Sequence, residues 1–511
     1  MKLIKGLRPT VATGHCGIPA RIFIDLADTI SSDICDMVNL GYNIRSFPTQ
    51  MKHAMIKAVY KQKGSSNSPE FYRPISILSI VSKIFENSAT AQIVQHLESN
   101  NKLFKGQHAY RRFHSTTTCL VEITEFLYSN MDGGRLSGIA SMDLSKAFDS
   151  VSHGLLLSKL SGLGFAGSSL DWIRSYLTGR TQQVKFREHT SDTTEVEAGV
   201  PQGSILGPIL FIAFTADLAE HLAQYSIKAY ADDTQILVSG RNSMEVKQQL
   251  EDAISRAQIW FRNNSLQINP SKTEVIIIRN KAVEEVTTIN IKDNEKTTVI
   301  KSSSHIKILG VIIDENLTWK QQVKQVKGKA ANVIRHLARS TKVLPQRSRR
   351  LLYDALVCPH LGYADVVWDG CGKEQKVELQ RIHNFAAKVV AGADRYTPSN
   401  EVLRNLGMVP LTAKREIHQA VFMHKLVNGR GPAELCNRVQ ENMNNQLEGL
   451  RSKTSLLITP QQHRTAKFEK STLWRATKAW NRTSKEIRLI DDTSNFKTKV
   501  QREVWRTHHW C

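Results

Sequence analysis

The sequence has no CxxC pair and no long apolar run. Its seven cysteines are scattered over 511 residues, and an odd number without paired spacing does not suit a disulfide framework. The terminal His508, His509 and Cys511 lack the second half of a zinc motif, so no zinc site is predicted. The longest apolar stretch, 205–216, is broken by glycine and proline and falls short of the roughly 20 residues that span a bilayer. These absences predict reduced thiols, no secretory signal, no membrane partner and an intracellular location.

What the sequence has in excess is positive charge. It carries 69 Lys and Arg against 47 Asp and Glu, a formal net charge of +22, which indicates a polyanionic partner. Residues 318–511 hold 35 Lys and Arg against 16 Asp and Glu, a net +19, whereas residues 1–317 are nearly balanced at +3. The asymmetry predicts a basic C-terminal grip on nucleic acid beside a more neutral catalytic body. The alternative is a solvated basic surface.

The hydrophobic pattern divides the chain into a mixed part and a helical part. Residues 1–45 read as a short helical leader, with an apolar residue every three or four positions from Ile22 to Met37. Between 137 and 315, β-rich runs alternate with helical runs, which favours an α/β or α+β domain. Beyond Asp314 the pattern changes to helices, beginning with an apolar stripe from Val323 to Leu337. A domain boundary near residue 315 follows.

Three segments carry chemistry in this sequence. In the first, Asp143 ends a predicted strand, Gly138 to Asp143, and precedes a helical segment. Its alternative role is that of a helix N-cap. In the second, Asp232 and Asp233 lie between two β runs, where they could also be ordinary turn formers. Two adjacent carboxylates joined by a third from another strand would form the oxygen cluster that Mg²⁺ prefers, with room for two ions.

The third segment is the Gly/Pro-rich loop from Gly199 to Pro208, which leads into a predicted helix from Ile209 to Leu218. Proline suits the first turn of a helix, and the glycines permit close approach of the backbone to a nucleotide or a template strand. An ordinary turn is the alternative.

These segments, in this order and spacing, resemble the reverse transcriptases of non-LTR, LINE-type and jockey-like retrotransposons. The resemblance extends from about residue 11 to the end of the chain, and its motifs are Ala12 to Gly14, Tyr72 to Ser76, Gln107 to Thr116, Met142 to Asp149, Gly199 to Pro208, Tyr230 to Asp233, Asn269 to Glu274 and Leu309 to Val311.

The resemblance implies an α+β fold of the right-hand polymerase type, with fingers, an α/β palm containing an antiparallel sheet, and a helical thumb, followed by a mostly α-helical C-terminal region. The segments expected are a leader over 1–45, fingers and palm over 46–315, a thumb over 316–400 and a basic helical region over 401–511. Trp368, Trp474 and Trp480 in this last third either stack on bases or, as the preferred interpretation, pack in the core.

The resemblance also implies an activity and its site. The expected reaction is RNA-directed DNA polymerisation, with an RNA template, a DNA primer, dNTPs and two Mg²⁺ ions, for which Mn²⁺ could substitute, acting in the nucleus. The metal ligands would be Asp143, Asp232 and Asp233, with Lys272 as a proton donor to pyrophosphate. The residues at the incoming nucleotide would be Arg73, Arg111, Phe148, Gln202 and Gly203, of which Phe148 would exclude a ribose 2′-hydroxyl.

The sequence departs from the family pattern in two places. Ala109 and Phe113 stand where the family has glycines near Arg111, and His15-Cys16 replaces its usual Pro-Asp. The family's upstream endonuclease cannot fit into the residues before Phe71, which suggests a truncated copy or one reading frame of an element. A catalytically silent nucleic-acid-binding relic is the alternative function, and an RNA-copying RNA polymerase, disfavoured by Phe148, is a third.

Overall fold

The computed structural model describes residues 1–62, 64–269, 272–279, 288–293, 296–339, 343–444 and 456–507. Pro270 and Ser271 of the expected lysine motif and the terminal His508, His509 and Cys511 lie outside the described residues. Within the described part of the chain, no helix combines the length and apolar character needed to cross a membrane.

The first part of the chain pairs a short sheet with helices. Its elements are α1 (Lys2–Lys5), α2 (Ala20–Asp25), α3 (Ala27–Asn43), β1 (His53–Tyr60), β2 (Tyr72–Ile77), α4 (Ile80–Ser99) and α5 (Thr116–Asp132). Hydroxyl caps set the helix starts: Ser79 Oγ accepts from the Ser82 N–H at 3.1 Å, and Ser115 forms a reciprocal capping box with Thr118.

The middle of the chain holds most of the strands. Its elements are β3 (Leu136–Met142), β4 (Leu144–Ser145), α6 (His153–Gly162), α7 (Gly167–Leu177), β5 (Arg180–Phe186), β6 (His189–Thr190), β7 (Thr194–Val196), α8 (Gly207–Phe214), α9 (Leu218–His221), β8 (Ser226–Tyr230), β9 (Asp233–Gly240), α10 (Ser243–Asn263), β10 (Gln267–Ile268), β11 (Glu274–Ile278), β12 (Thr288–Asp293), β13 (Lys296–Lys301), β14 (His305–Ile308) and β15 (Val311–Asp314). The predicted helix from Ile209 to Leu218 is interrupted at Thr215, whose hydroxyl donates back to the carbonyl of Phe211.

Two sheets dominate this region. The central one is antiparallel, in the order β11-β3-β9-β8, as expected for a palm. The other has the order β2-β1-β5-β6, with β7 also on β5, and its β1–β5 pair is parallel. Strand β1 lies between β2 and β5, so the segment around Tyr72 to Ser76 forms an edge of the second sheet.

After β15 every regular element among the described residues is helical. These elements are α11 (Lys320–Arg339), α12 (Gln346–Leu352), a π-helical turn (Tyr353–Val357), α13 (Cys358–Gly362), α14 (Asp365–Trp368), α15 (Lys373–Ala391), α16 (Ser399–Asn405), α17 (Leu411–Val427), α18 (Ala433–Asn444), a 3₁₀ turn (Phe468–Lys470), α19 (Thr472–Arg482), α20 (Lys485–Arg488) and α21 (Thr493–Thr507). The predicted stripe from Val323 to Leu337 is the buried face of α11.

A continuous hydrophobic core joins the helical region to the palm. It contains residues of α5, β3 and β11 together with α11, α15, α17 and α19. Trp319, fully buried, donates its Nε1–H to the Tyr128 hydroxyl at 3.1 Å, which ties the start of α11 to α5. Trp368 and Trp480 are also fully buried, and Trp474 is half-buried and packs against the same core, with the Lys478 ammonium over its ring. Core packing was therefore the correct interpretation for these tryptophans.

Candidate active site

Three aspartates meet at one end of the palm sheet. Strands β3 and β9 are antiparallel, with Met142 opposite Thr234, so that Asp143 leaves β3 where Asp233 enters β9. Asp232 lies in the two-residue turn between β8 and β9, since Tyr230 is already paired with Asp233. The chain after Asp143 continues as β4, and Ser152 rather than Asp143 caps the next helix. The N-cap alternative for Asp143 is therefore wrong.

A buried side chain stabilises the turn that carries Asp232. Ala231 has φ 58°, in the left-handed region that a residue with a Cβ adopts only when its surroundings impose it. Its N–H donates to the buried Gln107 Oε1 at 3.1 Å, and the same oxygen accepts from the Ala109 N–H at 2.9 Å. The sequence motif that begins at Gln107 predicted no role for this residue. Its hydrogen bond with Ala231 crosses 124 residues of sequence, so no local pattern predicts it.

The carboxylates act strongly on one another. Burial, followed by the charges of Asp232 and Asp143, raises the pKa of Asp233 to about 6. Burial is also the main cause that raises the pKa of Asp232, and the charge of Asp143 adds to it. The charge of Lys272 opposes both shifts. The site therefore carries an excess of negative charge that a cation would relieve.

Lys272 is exposed and pairs with one aspartate of this cluster. Its ammonium donates to Asp143 Oδ2 at 2.5 Å, across 129 residues of sequence. An oxygen-only donor set of this kind suits a hard cation such as Mg²⁺. Among the described residues, however, no three His, Cys, Asp or Glu side chains converge as a ready-made metal site. The carboxylate oxygens thus fit Mg²⁺, but one of them, Asp143 Oδ2, accepts a hydrogen bond from Lys272.

The Gly/Pro-rich loop packs directly against the edge strand β2. The Gln202 carbonyl accepts from the Ser76 N–H at 2.8 Å, and Gly203 has φ 126°. A Cβ on Gly203 would lie 2.6 Å from the Ser76 carbonyl oxygen, so only glycine fits there. The Oε1 of Gln202 is buried without a hydrogen-bond partner in the described part of the chain.

A buried carboxylate that sequence reasoning missed fixes the end of this loop. Glu86, on α4, is fully buried and accepts from the N–H groups of Ile205 and Leu206 at 2.7 and 3.2 Å. Burial raises its pKa despite these hydrogen bonds. The only sequence signal was a glutamate at an otherwise apolar helix position.

Phe148 is held as a rigid ring beside the loop. It stacks on Phe211 of α8 with ring centroids 4.5 Å apart and planes inclined by 20°. Its carbonyl accepts from the Val200 N–H at 2.8 Å, and the side chain is half-buried. The ring cannot swing freely because both its backbone and its inner face are fixed.

The two arginines predicted at the nucleotide lie in different surroundings. Arg73 is exposed on β2, and its charge acts on Asp232 to oppose the rise of that pKa. Arg111 instead makes a two-pronged ion pair with Glu98, with both contacts at 2.7 Å, and donates to the Phe104 and Gln107 carbonyls. The structure does not bring Arg111 to the aspartates, because Glu98 holds its guanidinium.

A buried charge network lies below the turn. Lys228, on β8, donates to Glu122 at 2.5 Å and to Glu434 at 2.9 Å, and His108 Nε2 lies 3.2 Å from the same Glu122 carboxylate. Burial alone would raise the pKa of Glu122, but the hydrogen bond from His108 and the charge of Lys228 lower it to about 2. Since Glu434 belongs to α18, the network joins the palm to the C-terminal helices.

An antiparallel palm with aspartates at one end of its central strands, beside a glycine loop and a lysine, is the arrangement of a right-hand nucleotidyl-transferring polymerase. Residues 60–313 match the family model described as "Reverse transcriptase (RNA-dependent DNA polymerase)". The chain thus carries a reverse transcriptase domain over these residues.

The relatives are polymerases of insect transposons. The chain is 28% identical over 399 residues to the "Probable RNA-directed DNA polymerase from transposon BS" of Drosophila melanogaster, covering 76% of this chain and 44% of that protein. It is 25% identical over 405 residues to the "RNA-directed DNA polymerase from mobile element jockey" of the same organism, covering 76% and 43%. The chain thus spans less than half the length of these relatives.

Among solved structures, the chain is similar to apo telomerase from Candida tropicalis truncated from its C-terminal domain. The two share 14% sequence identity with a TM-score of 0.38, over 58% of this chain and 59% of that one.

Proposed function

We propose that the protein is an RNA-directed DNA polymerase that adds dNTPs to the 3′-end of a DNA primer on an RNA template. The observation that supports this most is the meeting of Asp143, Asp232 and Asp233 at one end of the palm sheet, with mutual repulsion that a cation would relieve. Match to a reverse transcriptase family model over 60–313 supports the same reaction class.

In the proposed reaction, the primer 3′-hydroxyl would give its proton to solvent water, and its oxygen would form a bond to the α-phosphorus of the dNTP while the bond from that phosphorus to pyrophosphate breaks. Asp143, Asp232 and Asp233 would hold two Mg²⁺ ions, or Mn²⁺ in their place, which supply charge neutralisation at the attacking and leaving oxygens when bound. The Lys272 ammonium, which pairs with Asp143 in the structure, would move from that carboxylate to the pyrophosphate and donate a proton to it.

The remaining residues would select and orient the nucleotide. Phe148, fixed by its stack on Phe211, would present a ring edge that collides with a ribose 2′-hydroxyl. Gly203 and the unpartnered Gln202 Oε1 would face the nucleotide and the template, and Arg73 would bind phosphate oxygens. A contact of Arg111 with the triphosphate would require it to exchange Glu98 for phosphate.

Primer extension on an RNA template tests the proposal. The wild-type chain should extend a DNA primer with dNTPs and Mg²⁺, and should discriminate against NTPs. Phe148→Ala should keep dNTP extension and gain NTP incorporation, whereas Phe186→Ala, another exposed-edge ring on β5, should leave discrimination unchanged. Absence of any extension by wild type, with nucleic-acid binding intact, would favour the silent binding protein instead.

A further inference from the structure

A crevice of about 560 Å³ lies between the loop that precedes α5 and the C-terminal helices, outside the aspartate cluster. The loop side is lined by Phe113, His114 and Ser115. The opposite side is lined by α17 and α21, with α14 at its base. Its volume is in the range of small-ligand sites and is large enough for one nucleotide unit.

The helical wall of the crevice combines a ring with positive charge. His418, Phe422 and Lys425 follow one another at spacings of four and three residues on α17, so they share one face of that helix. Lys497 faces them from α21. Asp365 is the one carboxylate among the described lining residues, and its Oδ2 accepts from His418 Nδ1 at 2.7 Å.

The two lysines of this wall are free to bind an anion. Lys425 and Lys497 are both exposed, and among the described residues neither ammonium has a carboxylate or other hydrogen-bond partner. Arg430, also in the lining, is different because Asp491 and Thr493 hold its guanidinium. Two cations without described partners outweigh the single carboxylate of the lining, so the crevice has a net attraction for phosphates.

The loop side offers a surface for stacking. The Phe113 side chain is 43% exposed, and the Arg112 guanidinium lies 4.5 Å from its ring centroid. Phe113 has φ 65°, in the left-handed region that a residue with a Cβ seldom adopts, and its ring lies outside the buried core. An exposed ring next to arginine and lysine is the combination that binds successive bases and phosphates of single strands.

The same loop leads back to the catalytic cluster. Gln107 Oε1 accepts from the Ala231 N–H at 3.1 Å, and the His108 N–H donates to the Ala229 carbonyl at 2.8 Å, so the segment before Phe113 lies against the turn that carries Asp232. Residues 107–113 therefore run from this turn to the crevice. A strand leaving the active site along this loop would meet the Phe113 ring and then the two lysines.

We propose that the crevice binds single-stranded nucleic acid, with a base stacked on Phe113 and phosphates on Lys425 and Lys497. This crevice would give the proposed polymerase a path for the unpaired strand. The inference rests on the proposed function only where it identifies the bound strand as template or primer. Phe113, which stands where the family has a glycine, would then supply the ring on which the base stacks. RNA and DNA share the necessary chemistry, so the test includes both.

The test is fluorescence anisotropy of the full chain with a labelled single-stranded oligouridylate or oligothymidylate in EDTA, where no polymerisation occurs. Phe113→Leu should weaken binding by at least about fivefold, since it removes a stacking ring, and Phe113→Tyr should retain binding. The double variant Lys425→Ala/Lys497→Ala should lower the slope of log K against log salt by roughly 1.4, which is about 0.7 for each lost phosphate contact.

Matched controls lie on β5. Phe186 is 47% exposed with the Arg187 guanidinium 5.5 Å from its ring centroid, and Lys185 beside it is exposed. Phe186→Leu and Lys185→Ala should leave affinity and salt slope unchanged. Preference for one oligonucleotide in the Phe113-dependent binding identifies the strand and supports the proposal.

Two results would overturn the inference. One is equal loss of affinity in the β5 controls and the crevice variants, which would reduce the effect to general surface charge. The other is binding of polyglutamate that depends on Lys425 and Lys497 as strongly as oligonucleotide binding does, with no dependence on Phe113. Because the assay contains no metal or dNTP, failure of polymerisation in a separate assay would leave the crevice result standing.

Discussion

Lys228→Met should destabilise the protein more than any exposed-charge substitution. Lys228 is 7% exposed and Glu122 1% exposed, and their ion pair lies under the turn that carries Asp232. Methionine keeps much of the side-chain volume and removes the ammonium. Glu122 is then a buried carboxylate whose remaining described partner is His108.

The magnitude follows from the burial of the charge that is left. Removing one partner of a buried ion pair costs about 3–5 kcal/mol, because the other charge remains desolvated. The second partner of Lys228, Glu434, is 39% exposed, and a pair with an exposed group contributes only about 0–1 kcal/mol. Glu434→Gln is therefore the matched control, since it breaks the other half of the same network.

The assay is urea unfolding followed by tryptophan fluorescence, with Trp319, Trp368 and Trp480 as buried reporters. Lys228→Met should lose about 3–5 kcal/mol and Glu434→Gln at most about 1 kcal/mol. Adding Glu122→Gln to Lys228→Met should restore part of the loss, because it removes the stranded charge. Equal destabilisation by Lys228→Met and Glu434→Gln would refute the reasoning.

The pH dependence of this network has a definite sign. The pKa of Glu122 is lowered from 4.5 to about 2, so its contribution to stability is present above pH 4.5 and is lost as the pH falls towards 2. The pKa of Lys228 is raised from 10.5 by Glu122 and Glu434, against the effect of burial, so its contribution is present below pH 10.5 and is lost at higher pH. The stability gap between wild type and Lys228→Met should therefore be widest between pH 4.5 and 10.5.

Further predictions concern the loop, the cluster and the core. Gly203→Ala should reduce primer extension at least roughly tenfold, because its Cβ meets the Ser76 carbonyl, whereas Gly154→Ala, at a helical position with open space around it, should keep full activity. Asp233→Asn should raise the Tm in EDTA at neutral pH. The pKa of Asp233 is raised from 3.8 to about 6, so the folded protein favours the protonated carboxyl and loses stability as the pH rises from 3.8 through 6. Below pH 3.8 wild type and variant should melt at the same temperature. Trp319→Ala should cost about 3–5 kcal/mol in urea unfolding.

Local patterns predicted the elements that position the site. Two aspartates between β runs predicted the β8–β9 hairpin, and the apolar stripe from Val323 to Leu337 predicted the buried face of α11. The mixed middle part and the helical C-terminal part were predicted from local patterns, because the type of each element depends on nearby residues, whereas the right-hand fold with its antiparallel palm was predicted from the family resemblance; both predictions were correct.

Long-range contacts account for what the sequence could not show. In the N-terminal helices, Ile22, Leu26 and Met37 are exposed, while Phe23 and Val38 are buried, since the packing partner rather than the apolar spacing selects the face. Gln107 and Glu86 were missed for the same reason. The domain limits at 45, 315 and 400 stay predictions. One hydrophobic core contains residues from both sides of position 315.

The most direct measurement is primer extension by Asp232→Asn beside nucleic-acid binding by the same variant. The substitution removes a proposed metal ligand and leaves the basic surfaces intact, so extension should vanish while affinity for primer–template stays within a few-fold of wild type. Extension above about a tenth of the wild-type rate would contradict the assignment of Asp232 to the catalytic centre.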